Sequence, residues 1–190
     1  MALLIVGIVV FLGIHLLPTF PHLRGALIGR FGENGYRILF SVLSVAGFVL
    51  LVWGFFRAPV IQVWSPPAWT RWVAIVLMLP AFIFLVAAYV PGRIKARLKH
   101  PFLVAIKTWA LAHLIANGDL ASIVLFSSFL AYAIYDRIAV KGRAETGIVT
   151  TPRTGPARND IIAVVVGAAL YLVFLIWLHP LLMGRAVVPH

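Results

Sequence analysis

Trp109-Ala110-Leu111-Ala112-His113-Leu114-Ile115-Ala116-Asn117-Gly118-Asp119-Leu120 is the stretch that decides how this chain folds. Up to Ala116 it closes an apolar run that begins at Pro101, and from Leu120 a second apolar run continues to Tyr135. Asn117-Gly118-Asp119 between them is a tight turn signal, so the two runs read as an antiparallel helical hairpin. Only helices and closed barrels satisfy their own peptide groups in lipid. An imidazole inside such a run is costly, which makes His113 a functional lead whose partner has to be named.

Working outward, the 190-residue chain is 63% hydrophobic, well above the roughly 45–50% of soluble domains. It is read as an integral membrane protein with an all-α, polytopic transmembrane bundle of about six spans. The runs are Ala2 to Leu17, Gly35 to Phe56, Ala68 to Val90, Pro101 to Asn117, Leu120 to Tyr135 and Ile161 to Met183, each near the about 20 residues that cross a bilayer. They form one domain over 1–190, with a flexible cytoplasmic loop at 141–159 rich in Gly and Pro.

The net charge is +11. Its cations lie between apolar runs and not on one soluble face, which argues against nucleic acid and for loops that set topology. Arg24, Arg30, Arg93, Lys95, Arg97, Lys99, Lys141, Arg143, Arg153 and Arg158 fall in the first, third and fifth connections. Those connections are therefore read as cytoplasmic, with both termini outside, in a multi-pass protein of the bacterial inner membrane surrounded by membrane lipid. Trp53, Trp64, Trp69, Trp72 and Trp177 near span ends suit interfacial anchoring, Ser41, Ser44 and Gly47 at three-residue steps suit close helix packing, and Pro80 and Pro180 are expected to bend their helices.

Chemistry is left to few groups. There is no cysteine, which excludes disulfides, thiolate sites and covalently attached haem. The five acids, Glu33, Asp119, Asp136, Glu145 and Asp160, lie outside the spans, which weakens an ion-coupled transporter. Of the six histidines, His22 lies in a loop and His190 ends the chain, both read as solvated, and His179 precedes Pro180 at a helix end, read as interfacial. His100 precedes Pro101 and reads either as a helix start or as a contact to a headgroup or cofactor phosphate.

His15 and His113 differ in having apolar residues on both sides. Two such imidazoles from separate helices can hold b-type haem on both faces, or each can simply bond to a backbone carbonyl. At 100° per residue His113 shares a stripe with Trp109 and Asn117, while His100 points nearly the other way. Lys107 either snorkels to the cytoplasmic surface or faces a propionate or phosphate. By helical rise His15 and His113 differ in depth by about 10 Å in a core of about 30 Å, so a shared iron needs tilt or a fourth helix that begins outside the hydrocarbon.

Gly35-Tyr36-Arg37-Ile38-Leu39-Phe40-Ser41-Val42-Leu43-Ser44, Lys99-His100-Pro101 and the Trp109 to Gly118 motif together resemble the NnrU family over nearly the whole chain. That resemblance implies a link with bacterial nitrite and nitric oxide respiration. It also implies kinship with 15-cis-zeta-carotene isomerases, haem b enzymes whose ligand histidines would correspond to His15 and His113, with a hydrophobic polyene as possible substrate; Lys107, and Trp109 and Asn117 on the His113 stripe, are read from their places along the helix as cofactor-binding. A non-enzymatic haem-handling or accessory role for nitrogen-oxide reductases is the alternative. A more distant similarity through Lys99-His100-Pro101 reaches the isoprenylcysteine carboxyl methyltransferases, which use adenosylmethionine, although this chain has Leu103 and Ala105 where those enzymes have Tyr and Gly. Substrate and oligomeric state are left open.

Overall fold

The structure, a computed structural model, describes residues 1–145, 154–184 and 187, with side chains of 143–145 left aside. Among them the helices are α1 Ala2–Leu16, α2 Pro21–Phe56, α3 Thr70–Ala87, α4 Arg93–Leu98, α5 Pro101–Ala116, α6 Leu120–Glu145, α7 Ala157–Val173 and α8 His179–Met183. The described residues contain no strand, only an isolated bridge between Gln62 and Asp119. Five helical stretches are long and apolar enough to cross a membrane, and the expected sixth, α5, is a shorter apolar helix. Their outer faces are apolar, with Val76 70% and Ile38 65% exposed, as lipid-facing surfaces require.

Boundaries differ from the apolar runs for physical reasons. α2 begins at Pro21 and not at Gly35, because its first turns carry His22, Arg24, Arg30 and several glycines that break hydropathy without breaking the helix. It kinks at Gly32, whose φ of 71° and ψ of 168° lie in a region essentially restricted to glycine. α6 runs past Tyr135 to Glu145 and α7 starts at Ala157, so the expected loop 141–159 narrows from both sides. Residues 146–153, and with them Arg153, lie outside the described residues, as do Arg185 and His190. The last run is interrupted by a π-turn at Phe174–Leu178 immediately before Pro180. Proline has no N–H to give and its ring crowds the carbonyl four residues back, a conflict that widening the turn relieves.

The chain forms two compact units, Met1–Ser65 with Asn117–Val140 and Pro66–Ala116 with Lys141–His190. In the first, α1 and α2 run antiparallel with glycine at each crossing. Gly7 meets the backbone of Leu50 and Leu51, Gly54 meets that of Leu3 and Leu4, and a Cβ on Gly47 would stand 2.7 Å from the Phe11 nitrogen. Of the small-residue stripe, then, Gly47 makes the close approach, whereas Ser41 is exposed. The turn before α6 is held by the segment after α2: Gly118 O accepts the N–H groups of Val63 (2.8 Å) and Trp64 (3.2 Å), and Leu120 N–H donates to Ile61 O at 2.8 Å.

In the second unit α3 packs against both α5 and α7. A Cβ on Gly167 would stand 2.7 Å from Ile83 Cα, and the Tyr171 hydroxyl donates to Ile75 O at 3.0 Å. α4 is seated among α3, α5 and α7.

Candidate functional site

His15 sits in the last turn of α1. The Nδ1–H of its imidazole donates to the carbonyl of Phe11 at 2.7 Å. A carbonyl can only accept, so Nδ1 carries a proton, and in a neutral ring the lone pair is on Nε2. The ring lies 4.3 Å from that of Phe11 and 5.3 Å from that of Phe40 on α2, and Phe11 in turn meets Phe48 at 6.0 Å and Phe129 at 5.9 Å. Nearby on α2 the Ser44 Oγ is buried with no hydrogen-bond partner among the described residues.

His113 repeats the arrangement on α5. Its Nδ1–H donates to the carbonyl of Trp109 at 2.9 Å, and its ring lies 5.4 Å from the indole of the same Trp109. The backbone-carbonyl reading of these histidines therefore accounts for one nitrogen of each ring, and the carbonyl belongs to the histidine's own helix, four residues back. That bond fixes ring orientation and tautomer, as the outer hydrogen bond of a ligating histidine does. Both side chains are half-buried.

Lys107 is half-buried on α5, and Asn117 follows the last residue of that helix. His15 belongs to the first compact unit and His113, Trp109 and Lys107 to the second; Asn117 opens the α6 segment of the first. Within the second unit the structure brings together Trp109 and His113, and adds a residue the sequence placed at the interface. His179 lies close enough to His113 for their charges to interact, and its ring packs on Phe174 at 6.2 Å. The Phe174 ring is itself held by Phe82 at 5.5 Å. The missed signal was Pro180: a proline one residue after a histidine forces the π-turn, and π-turns often mark functional positions.

The remaining histidines stand apart. His22 is exposed in α2 and not in a loop, and the carbonyl of His100 accepts the N–H of Leu103 (3.1 Å) and Val104 (3.3 Å), so α5 does start at His100-Pro101. No group of three or more His, Asp or Glu gathers to hold a metal among the described residues.

No curated protein and no solved structure matches the chain. The family model described as NnrU protein matches residues 3–187. With the match running through both histidine-bearing helices and nearly end to end, this helical membrane protein belongs to the NnrU family.

Proposed function

We propose that this NnrU protein binds b-type haem, which the imidazoles of His15 and His113 would hold. The observation that supports the reading is the repeated bond from ring Nδ1 to the i−4 carbonyl, which holds both imidazoles in the same orientation on their helices. The donor set fits the group. No cluster of three His, Asp or Glu gathers among the described residues, whereas haem would ask the protein for no more than one or two imidazoles.

Phe11 and Phe40 beside His15 and Trp109 beside His113 would line the cofactor, with Lys107 and Asn117 as the polar residues that would contact it. When bound, haem supplies an iron centre for electron transfer or for engaging a double bond. The chain's own task is to fix the two imidazoles in one tautomer and to keep water from them. By its resemblance to carotenoid isomerases the substrate class is a hydrophobic polyene arriving from lipid, with a role tied to nitrite and nitric oxide respiration. The protein sits in the bacterial inner membrane, with the basic connections cytoplasmic and both termini outside.

The test is absorbance of detergent-purified protein from haem-replete cells. Wild type is expected to show a Soret band that is lost in both His15→Ala and His113→Ala and partly restored by added imidazole, while the variants elute like wild type. A colourless wild type after haem supplementation overturns the reading. If haem is present, turnover of a cis-polyene separates an isomerase from an accessory protein that only alters nitrite reductase activity in a deletion strain.

A further inference from the structure

The segment between α3 and α5 places Arg93, Lys95, Arg97 and Lys99 within seven residues. Its backbone is pinned from several sides. The Asp160 carboxylate accepts the Ile94 N–H at 2.9 Å, Asn159 Nδ2 donates to Pro91 O at 2.6 Å, and Lys95 Nζ turns inward to donate to Ala88 O at 2.6 Å. At the far end the N–H of His100 donates to Leu98 O at 2.8 Å around Lys99, whose φ is 64° and ψ −47°. This is the rare positive-φ γ-turn, a strained form that persists only where the surroundings impose it.

What this rigid frame presents is uncompensated positive charge. Arg93 and Arg97 are four residues apart on one face of α4, both exposed, and neither forms an ion pair among the described residues; nor does exposed Lys99. Like charges at that spacing repel. Asp160 accepts the Ile94 N–H through Oδ1, and no ion pair joins it to Arg93, Arg97 or Lys99 among the described residues. On either side of the cations the chain exposes apolar rings, Tyr89 after α3 and Phe102 on α5. A cationic fork beside exposed rings, between two apolar helices, matches the layering of a phospholipid, phosphate next to acyl chain.

We infer that α4 is a docking platform for an anionic phospholipid, its phosphate bridging Arg93 and Arg97 with Lys99 at the edge and its chains against Tyr89 and Phe102. The site is independent of haem. Because α4 turns directly into α5, the bound headgroup anchors the cytoplasmic end of the helix that carries His113.

The experiment is lipid binding to the purified full chain, delipidated in uncharged detergent and followed by thermal unfolding and native mass spectrometry. Phosphatidylglycerol is expected to raise the melting temperature and phosphatidylcholine not. Arg93→Gln with Arg97→Gln is expected to weaken phosphatidylglycerol binding about thirty-fold, from about five-fold per surface cation, while Arg24→Gln with Arg30→Gln in the first unit leaves it largely intact. Should the Gln pair not fold, Arg93→Lys with Arg97→Lys keeps the charge, loses the bidentate fork and is expected to bind several-fold less. Equal stabilisation by both lipids, retained phosphatidylglycerol binding in the variant, or a shift reproduced by inorganic phosphate alone overturns the assignment.

Discussion

The two histidine helices use one local device in two different settings. Around His15 the neighbours are phenyl rings, the helices touch backbone to backbone at glycines, and a nearby hydroxyl, Ser44 Oγ, is buried without a partner. Around His113 the neighbours are an indole and a second imidazole, and a buried hydroxyl of that unit, on Tyr171, is bonded to a carbonyl of α3. The first setting achieves close packing and leaves a hydroxyl unspent; the second bonds the Tyr171 hydroxyl and gathers titratable rings. Identical hydrogen bonds at two imidazoles therefore do not make the two sites interchangeable.

Three variants sharpen that contrast. Gly47→Val drives a branched side chain into the Phe11 backbone and is expected to cost about 3 kcal/mol, at the upper end for overpacking. Thermal unfolding of detergent-purified protein should show a large drop in melting temperature, and an unchanged one would mean that α1 and α2 do not meet at that glycine. Removing a hydroxyl should act in opposite directions in the two units. Ser44→Ala relieves a buried polar group of its unmet bond and is expected to stabilise by about 1 kcal/mol. Tyr171→Phe breaks the bond to Ile75 O and is expected to destabilise by about 0.6 kcal/mol, the usual size of such a bond between membrane helices. Equal signs for the two would erase the distinction between the units.

Much of the fold is legible in the chain, because lipid demands apolar runs and the runs locate the helices. What hydropathy misses is helix that is not apolar. The first turns of α2 and the whole of α4 are rich in Arg, Lys and Gly, so they read as connection although their peptide groups are helical. Gly32 and the π-turn at Phe174–Leu178 are invisible for another reason: each is a backbone adjustment, and only Pro180 hints at the second. For the candidate site, the apolar context singled out His15 and His113, and the i−4 carbonyl bond of each is local enough to follow from helical geometry. His179 escaped because its nearness to His113 depends on how α7 packs beside α3 and on the extra residue of the π-turn, neither of which is written in its neighbours.

The clasp between the segment after α2 and the turn before α6 has a consequence for the bilayer itself. α5 has 16 residues, a rise of about 24 Å against a hydrocarbon thickness of about 30 Å. A helix that short would ordinarily leave the peptide groups of its final turn stranded below the headgroups. Here Gly118 O and Leu120 N–H are already bonded to the backbone of Ile61, Val63 and Trp64, so the turn needs no water to reach it. A bilayer that thins to match so short a helix is therefore expected to meet a turn whose backbone is already bonded.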